Sequence, residues 1–311
     1  YATFSGGRKM APGQLDWKEM RSLYQYDKID ADTELFGVVA DPVAHSYSPL
    51  IHNSAFADQE LNARYFPFRV PKHDLRHLVD SCADLNIRGL SVTIPHKEDA
   101  LEFCTQAESS ATGIGAVNTM VFHDDNCLGY NTDYRAAMDC IEELYKIDKT
   151  SERPMQGMTA LVMGAGGVSR AVAWGLKQRN CEVLLSSRTF ERSQILAAEI
   201  GCRAIEWEDR HDPKINLLVN GTPVGMHPDV NTSPYNASAM NQFLVVFDTV
   251  YNPENTMLIK HAKRAQCRII TGIDMFVRQA AYQFKLFTGH DAPVQLMRKT
   301  IKDATNPVQL N

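Results

Sequence analysis

The sequence predicts an α/β protein with two domains, and three observations carry that prediction. The chain has 311 residues, which corresponds to about two domains of roughly 100–200 residues each. From residue 34 onward, short apolar runs alternate with segments of helical periodicity, a pattern typical of a parallel sheet whose strands are joined by helices. The polar, proline-containing stretch at 146–156 divides this alternation into two series, so we interpret it as a linker.

The predicted elements follow in order along each series. In the first series, the strand-like runs are LFGVVA, YFPFRV, GLSVTIP and AVNTMVF, and the helix-like segments are 49–59, 72–84 and 96–105. In the second series, the strand-like runs are TALVMG, CEVLLSS, CRAIEW, INLLVNG, LVVFDTV and CRIITG, helices begin at Val168 and Glu191, and the tail 274–304 is helical. We therefore predict an N-terminal α/β domain at 34–149, completed by 274–311, and a second domain at 150–273.

Composition excludes several classes of protein. A net charge of −5 and a pI of about 6.1 argue against a nucleic-acid-binding surface that depends on positive charge. No apolar run approaches the ~18 residues of a membrane span. The seven cysteines are scattered and never form a CxxC pair, which is typical of a reducing compartment and gives no zinc signature. We expect no metal, no nucleic-acid or membrane partner, and a cytoplasmic location (or a plastid, if the source is a plant).

A glycine-rich turn indicates that the second domain is a Rossmann-type dinucleotide-binding domain. The turn follows the strand-like run at 159–163 and opens a helix-like segment, which is the context that a GxG motif requires. Its glycines permit a tight turn and a close approach of a pyrophosphate, and the helix N-terminus offers N–H groups. Ser169 replaces the third glycine, so we expect the helix and strand to lie slightly further apart. The predicted cofactor-binding residues of this turn are Gly164, Ala165, Gly166, Gly167 and Val168.

The end of the next strand indicates which dinucleotide is bound. NAD sites usually carry an acidic residue about 20 residues after the glycines, where it binds the ribose hydroxyls. Here the sequence continues with Ser187, Arg188 and Thr189, and Arg192 follows one helical turn later. A guanidinium can bind a 2′-phosphate that a carboxylate would repel. The sequence therefore favours NADP.

Polar motifs follow the strand-like runs of the first domain. They are HSYSP at 45–49, SVTIPHK at 91–97, GAVNT at 115–119 and GYNTD at 129–133. Strand ends that feed loops are where α/β proteins place ligand-binding groups. The residues offered are hydroxyls, an amide, one lysine and one aspartate, a mixture that suits a small polyhydroxylated ligand.

Together with GAGG, SRT, NGTPVGM, DTVYNP and GIDMFVRQA, these motifs resemble the shikimate dehydrogenase family in order and spacing, from about Leu35 to Ile301. The resemblance implies NADP-linked, reversible oxidation of the C3 hydroxyl of shikimate to 3-dehydroshikimate, in the pathway to chorismate and aromatic amino acids. It also implies residue roles. Lys97 and Asp133 match the catalytic dyad. Substrate contacts match Ser46, Ser48, Thr93, Asn118, Tyr251 and Gln279, and the nicotinamide pocket matches Asn220, Thr222, Met226, Gly272 and Met275.

The chemistry of the dyad agrees with these roles. Oxidation of a secondary alcohol requires removal of the hydroxyl proton, and reduction requires its return. A lysine ammonium at neutral pH can supply that proton and polarise the oxygen, while an aspartate beside it can hold both in one network. Each residue alone has a plainer interpretation: Lys97 as a surface lysine, Asp133 as an N-cap, Ser46 and Ser48 as helix caps, and Met226 and Met275 as core residues. His45 and His96 lack a third metal ligand at a recognisable spacing.

Residues 1–33 differ from both domains. The stretch 2–24 resembles the closing strand, loop and last helix of a type I dehydroquinate dehydratase, with Gln14 matching the loop glutamine and Met10 replacing a substrate-binding serine. The chain begins with Tyr1 and shows no signal peptide. We therefore expect a chain processed or cut from a longer one, with a fused or separate dehydratase as partner.

Two alternatives remain open at this point. One is an NAD-linked quinate/shikimate dehydrogenase, for which a smaller or altered second serine would be expected. The other is a non-catalytic sensor that binds shikimate and NADP without turning them over. The presence of both Lys97 and Asp133 favours an enzyme over a sensor.

Overall fold

The structure is a computed structural model that describes residues 16–44, 46–124, 126–148, 150–211 and 214–305. It divides into two compact units. The first unit comprises the described parts of 1–107, 117–130 and 283–301, and the second those of 108–116, 131–282 and 302–311. These units divide the chain at other positions than the domain boundaries 34–149 and 150–273, which stay a prediction.

The first unit is built on a six-stranded sheet with the strand order β2-β1-β3-β5-β6-β4. The strands are β1 (Glu34–Ala40), β2 (Ala63–Arg69), β3 (Ile87–Val92), β4 (Gln106–Ala107), β5 (Thr119–His123) and β6 (Asn126–Tyr130). β1 is parallel to β2 and β3, but β5 is antiparallel to both β3 and β6. The sheet is therefore mixed rather than parallel as predicted, because only two residues separate β5 from β6 and so short a connection joins antiparallel strands.

In the described part of the first unit, the α-helices that lie wholly within it are α1 (Trp17–Ser22), α2 (Ser48–Asp58), α3 (Leu75–Ser81) and α4 (Asp99–Glu102). α2 agrees with the prediction of 49–59, whereas α3 and α4 are shorter than the predicted 72–84 and 96–105. α4 ends early because the chain beyond it joins the sheet. The N–H of Thr105 donates to the carbonyl of Cys127 at 2.8 Å, so these residues are held in extended pairing instead of a helical turn.

The second unit contains a six-stranded sheet in which every strand pair is parallel. Its order is β12-β11-β10-β7-β8-β9, the 3-2-1-4-5-6 order of the Rossmann fold. The strands are β7 (Thr159–Met163), β8 (Glu182–Ser186), β9 (Arg203–Ala204), β10 (Leu217–Asn220), β11 (Val245–Asp248) and β12 (Arg268–Ile270). The chain order reverses between β7 and β10, and ligands bind at such a point in open α/β sheets. The predicted Rossmann-type domain is confirmed.

The helices of the second unit are α5 (Ser109–Ile114), α6 (Thr132–Tyr145), α7 (Gly167–Gln178), α8 (Phe190–Ile200) and α9 (Met257–Arg264). α6 packs with Ala136 and Ala137 in the same apolar core as Val162 and Val172, which places it in this unit. The tail, predicted as helical, forms α10 (Gly272–Thr288) and α11 (Val294–Thr305). The break between them begins at Gly289, whose φ of +75° favours glycine. In the described parts of the chain, no helix combines the length and apolarity needed to cross a membrane.

The described part of the N-terminal segment packs against the first unit. The Tyr24 ring stacks on Phe66 of β2 with centroids 4.9 Å apart, and the buried Arg64 donates from Nε to the Tyr24 carbonyl at 2.9 Å. Tyr24 is therefore anchored to the sheet of the first unit, and the assignment of 1–33 as a segment distinct from both domains stays a prediction. Met10 and Gln14 lie outside the described residues.

Replacing Tyr24 tests this anchor. Tyr24 is 3% exposed and Tyr26 is 50% exposed, so the two tyrosines form a matched pair in one segment. We expect Tyr24→Ala to lower the free energy of unfolding by about 2 kcal/mol through lost apolar burial, and Tyr26→Ala to change it by less than about 0.5 kcal/mol. Urea unfolding measures both, and equal effects would contradict the anchor.

Candidate active site

The turn after β7 has the backbone geometry of a pyrophosphate site. Gly164 has a φ of +109°, and a Cβ there would lie 2.9 Å from the carbonyl oxygen of Gly221. In contrast, a Cβ at Gly166 would meet nothing within 4 Å, so the space in front of this residue is open. Gly166 is also the N-cap of α7, and as a glycine it has no side chain that could cap the first-turn N–H groups. The first-turn N–H groups and the positive end of the helix dipole therefore suit a dinucleotide phosphate.

Ser169 occupies space that Gly221 leaves empty. Its side chain is buried, and its hydroxyl lies 3.5 and 3.4 Å from the carbonyl oxygens of Met163 and Gly221, either of which can accept its single proton. A Cβ added at Gly221 would lie 2.1 Å from Ser169 Oγ but 3.2 Å from Ser169 Cβ. The serine at the third position of the motif thus depends on the glycine that follows β10.

A double substitution tests this dependence. Gly221→Ala alone should lower the free energy of unfolding by about 2 kcal/mol, as overpacked sites do, and weaken NADP binding because the turn after β7 must shift. Adding Ser169→Ala removes the Oγ and should restore most of both losses. Thermal unfolding and calorimetric NADP titration of the two single variants and the double variant measure the coupling. Additive losses would contradict the packing argument.

The end of β8 presents the predicted ribose-phosphate residues. Arg188 and Thr189 are exposed, and Arg192 is exposed in the first turn of α8. Ser187 is buried, and its hydroxyl donates to the Thr189 carbonyl at 2.6 Å, which shapes the turn that carries Arg188. Two guanidinium groups at the end of this strand suit a 2′-phosphate.

The loop after β10 holds the residues predicted to line the nicotinamide pocket. Asn220 is fully buried, and its Oδ1 accepts hydrogen bonds from the N–H and hydroxyl of Thr222 at 3.0 and 2.6 Å. Met226 is 45% exposed, so it is not a core residue, whereas Met275 is 5% exposed and packs in the apolar core. Gly272 has no room for a side chain, because a Cβ there would lie 2.2 Å from the carbonyl oxygen of Val250.

In the first unit, two serines precede and begin α2. Its N-cap is Tyr47, which makes no side-chain cap hydrogen bond, and Ser48 is the first helical residue. Ser46 Oγ accepts from the Ser48 N–H at 3.3 Å, so the capping interpretation holds in part for Ser46 but not for Ser48. Hydroxyls at a helix N-terminus, next to the positive end of its dipole, suit a carboxylate ligand. His45 lies outside the described residues.

Backbone hydrogen bonds bring Thr93, Lys97 and Asn118 together beyond the end of β3. The Val92 N–H donates to the Asn118 carbonyl, and the Val117 N–H donates to the Lys97 carbonyl, both at 2.7 Å. Thr93 and Lys97 are half-buried and Asn118 is buried. α4 begins only at Asp99, so Lys97 stands before this helix, and Asn118 directly precedes β5.

Gln283 holds Ser91, Asn118 and Thr119 together and was missed by sequence reasoning. It is buried; its Oε1 accepts from the Ser91 hydroxyl at 2.9 Å, and its Nε2 donates to the Asn118 carbonyl at 3.3 Å and to Thr119 Oγ1 at 3.1 Å. The Thr119 hydroxyl in turn donates to Asn118 Oδ1 at 2.9 Å. The signal that could have found it is its place one helical turn after Gln279.

A buried polar cluster adjoins Ser48. Burial raises the pKa of Tyr65, and the hydroxyls of Ser91 and Ser48 lower it by a smaller amount. The His52 ring stacks on Tyr65 with centroids 4.4 Å apart, and burial lowers the pKa of His52 to about 3. His52 is therefore neutral near pH 7, and the cluster presents hydroxyls rather than charge.

The remaining predicted residues lie in the second unit. Asp133 is buried in the first turn of α6, whose N-cap is Asn131, so the N-cap interpretation of Asp133 is wrong. The Tyr251 ring stacks on Phe276 with centroids 4.3 Å apart. Gln279 is buried and donates to the Phe276 carbonyl at 2.9 Å. Within the described ranges, no group of three or more His, Cys, Asp or Glu side chains is arranged to hold a metal ion.

Comparisons with known proteins agree with this geometry. The family model "Shikimate dehydrogenase substrate binding domain" matches residues 38–120. The model "Shikimate 5'-dehydrogenase C-terminal domain" matches residues 272–302. Among solved structures, a shikimate dehydrogenase in complex with NADP+ is similar with a TM-score of 0.82 and 32% identity, over 89% of this chain and 97% of that chain.

Two curated relatives are similar along most of the chain. A shikimate dehydrogenase (NADP(+)) of Methanopyrus kandleri is 38% identical over 88% of this chain and 96% of its own length. A chloroplastic bifunctional 3-dehydroquinate dehydratase/shikimate dehydrogenase of Arabidopsis thaliana is 36% identical over 95% of this chain, which spans about half (51%) of that protein. At this identity and coverage, the chain belongs to the shikimate dehydrogenase family.

Proposed function

We propose that this protein is a shikimate dehydrogenase that reversibly reduces 3-dehydroshikimate to shikimate with NADPH. The observation that carries the substrate assignment is the placement of Thr93, Lys97 and Asn118 after β3 and before β5, where backbone hydrogen bonds at 2.7 Å join Val92 to Asn118 and Val117 to Lys97. These residues offer a hydroxyl, an ammonium and an amide, which suit ring hydroxyl groups. Arg188 after β8 and Arg192 in the first turn of α8 support NADP over NAD, because exposed guanidinium groups can bind a 2′-phosphate.

When bound, NADPH supplies the hydride that the C3 carbonyl carbon of the substrate accepts. The residues of the chain supply orientation and the proton. In the proposed mechanism, Lys97 Nζ polarises the carbonyl oxygen and donates the proton that makes it a hydroxyl. The family resemblance assigns Asp133 to the same catalytic dyad, and it assigns Ser46 and Ser48 to the substrate carboxylate. Thr93, Asn118, Tyr251 and Gln279 complete the substrate contacts in this proposal.

Steady-state kinetics with each combination of shikimate or quinate and NADP or NAD tests the proposal. We expect the highest kcat/KM with shikimate and NADP, since specificity is a ratio of these constants. The highest value with quinate and NAD would instead support the quinate/shikimate alternative. Binding of shikimate and NADP without turnover at high enzyme concentration would support the sensor.

The similarity to the bifunctional relative supports a wider proposal. A dehydroquinate dehydratase, fused to this chain or separate from it, would supply the 3-dehydroshikimate that this protein reduces. The coding sequence upstream of Tyr1 tests the fusion: an open reading frame for a dehydratase barrel supports it, and a start codon directly before Tyr1 contradicts it. A cytoplasmic location, or a plastid location in a plant, stays part of this proposal.

A further inference from the structure

A buried carboxylate lies at the end of β11, outside every role assigned so far. Asp248 is fully buried, and each of its oxygens accepts hydrogen bonds. Oδ1 accepts from Asn220 Nδ2 and from the Val250 N–H, both at 3.0 Å. Oδ2 accepts from the Thr256 hydroxyl at 2.6 Å. The two oxygens therefore serve different segments: Oδ1 holds the end of β10 and the turn after β11, and Oδ2 holds the start of α9.

Asp248 determines the orientation of the Asn220 amide. Asn220 Nδ2 faces two acceptors, Asp248 Oδ1 and the Val224 carbonyl at 3.3 Å. Asn220 Oδ1 faces the N–H and hydroxyl of Thr222. A flipped amide would point its oxygen at a carboxylate and its NH2 at the Thr222 N–H, so a single orientation satisfies all partners.

That orientation shapes the loop after β10. The Thr222 hydroxyl donates to Asn220 Oδ1 and accepts from the Val224 N–H at 3.2 Å. The Asn220 amide therefore holds the turn 220–224 through two groups: its oxygen binds Thr222 and its NH2 binds the Val224 carbonyl. On the other side of Asp248, the Val250 N–H is fixed next to Tyr251, and the Val250 carbonyl packs against Gly272. One carboxylate oxygen thus fixes two segments that carry predicted cofactor and substrate residues.

The charge of Asp248 is costly for folding. Burial raises its pKa to about 6, although the hydrogen bonds from Thr256, Val250 and Asn220 lower it. The buried site therefore favours the protonated form, and at neutral pH the ionised carboxylate is retained against this preference. Burying an ionised carboxylate costs free energy that its hydrogen bonds must offset. A buried charge that lowers the stability of the fold, at the edge of a binding loop, is typical of a residue that serves function at the expense of stability.

We propose that Asp248 is a positioning residue for the nicotinamide end of the cofactor, acting through the Asn220 side chain on the loop 220–226. The inference rests on the proposed function, because the nicotinamide assignment of Asn220, Thr222 and Met226 comes from the family resemblance. Asp248 acts through other residues and is not itself a contact of the cofactor in this proposal.

Three variants distinguish the effect of the hydrogen bonds to Oδ1 from the effect of the hydrogen bond to Oδ2. Asp248→Leu is close in volume and removes both acceptors. Asp248→Asn keeps an Oδ1 acceptor for Asn220 and Val250 but loses the charge that strengthens those bonds. Its NH2 group replaces Oδ2 and can donate to the Thr256 hydroxyl oxygen, so a hydrogen bond to the start of α9 is kept. Thr256→Val is the matched control, because it removes the partner of Oδ2 and the N-cap of α9 while leaving the Asn220 contact in place.

The readout is the affinity for NADP compared with that for 2′,5′-ADP, a fragment that lacks the nicotinamide. Calorimetric titration measures both ligands on the full chain. We expect Asp248→Leu to weaken NADP binding about tenfold and Asp248→Asn about threefold, the scale of one hydrogen bond lost or weakened, with 2′,5′-ADP binding unchanged. Thr256→Val should lower the melting temperature and leave both affinities unchanged.

Hydrogen–deuterium exchange and thermal unfolding provide a second measurement in case Asp248→Leu does not fold. Asp248→Asn should retain the wild-type melting temperature at pH 8, because it removes a buried charge, yet exchange should accelerate in 220–226 and not in 257–264. If Asp248 only stabilises the fold, its replacement should lower the melting temperature and the affinities for NADP and 2′,5′-ADP together. That result would overturn the inference. Unchanged NADP affinity in both Asp248 variants would overturn it too.

The inference and the proposed function fail in different ways. If the wild-type protein binds NADP but does not oxidise shikimate, the proposed function fails, while the ratio of NADP to 2′,5′-ADP affinity still tests Asp248. If the wild-type protein oxidises shikimate and Thr256→Val weakens NADP binding as much as Asp248→Leu, the assignment to Oδ1 and Asn220 is wrong and the proposed function stands.

Discussion

Replacing Lys97 with alanine should remove most of the turnover while leaving substrate binding nearly intact. We expect kcat to fall by about 10²–10⁴-fold, the usual contribution of a positioned proton donor, and KM for shikimate and NADP to change only a few-fold. A group whose main interaction is made in the transition state affects kcat and kcat/KM together. The half-buried position of Lys97 beside Asn118, fixed by the bond from Val117 to its carbonyl at 2.7 Å, suits such a role.

Two further variants distinguish the role of Lys97 as a proton donor from the effect of its positive charge. Lys97→Arg keeps a cation but is a poor proton donor, so it should remain slow. Lys72→Ala removes an exposed lysine of the same unit and should leave kcat unchanged. Added primary amines should partly restore turnover to Lys97→Ala and not to Lys97→Arg, because only the alanine leaves space for them. Near-normal kcat in Lys97→Ala would show that the protein supplies the proton elsewhere.

Local signals in the sequence predicted the second unit well. The strand-like run at 159–163 is β7 (Thr159–Met163), and α7 begins within one residue of the predicted Val168. The glycine turn between them needs only neighbouring residues: a tight turn, an open backbone and a helix start. The handedness of each crossover between parallel strands is also fixed, but the strand order β12-β11-β10-β7-β8-β9 is a finding of the structure.

Long-range contacts explain what the sequence did not predict. β4 has two residues, Gln106–Ala107, and exists through its pairing with β6, so no local pattern could mark it. Gln283 lies 165 positions from Asn118 and 192 from Ser91, and its role appears only when α10 packs on the sheet. Asp248 stands in the DTVYNP motif, yet its burial and its bond to Asn220 follow from the adjacency of β10 and β11.

The polar residues of the first unit were predicted by type and position but not by arrangement. The sequence placed Ser46, Ser48, Thr93 and Asn118 at strand ends. The structure adds that Ser46 is partly used in a turn by its bond to the Ser48 N–H and that Asn118 is oriented by Thr119. Which polar groups are already used in hydrogen bonds within the protein depends on three-dimensional geometry, so residue types alone do not predict it.

Removing the two arginines after β8 should change which dinucleotide the protein prefers. A charge-assisted hydrogen bond contributes about 1.5–3 kcal/mol, so Arg188→Ala should raise KM for NADP by about tenfold, and Arg188→Ala with Arg192→Ala by about 10²-fold. Neither change should affect KM for NAD, because NAD has no 2′-phosphate for a guanidinium to bind. The ratio of kcat/KM for NADP to that for NAD measures the effect at constant shikimate.

A matched arginine separates specific recognition from a general loss of positive charge. Arg203 lies on β9, beside β8, and its side chain is 66% exposed and 3.9 Å from Glu182. Arg203→Ala should leave the cofactor ratio unchanged, since screening weakens charges that make no direct contact with the phosphate. The loss in the Arg188 variants should also shrink at high salt. If NADP and NAD weaken equally in those variants, the arginines stabilise the turn after β8 and do not select the phosphate.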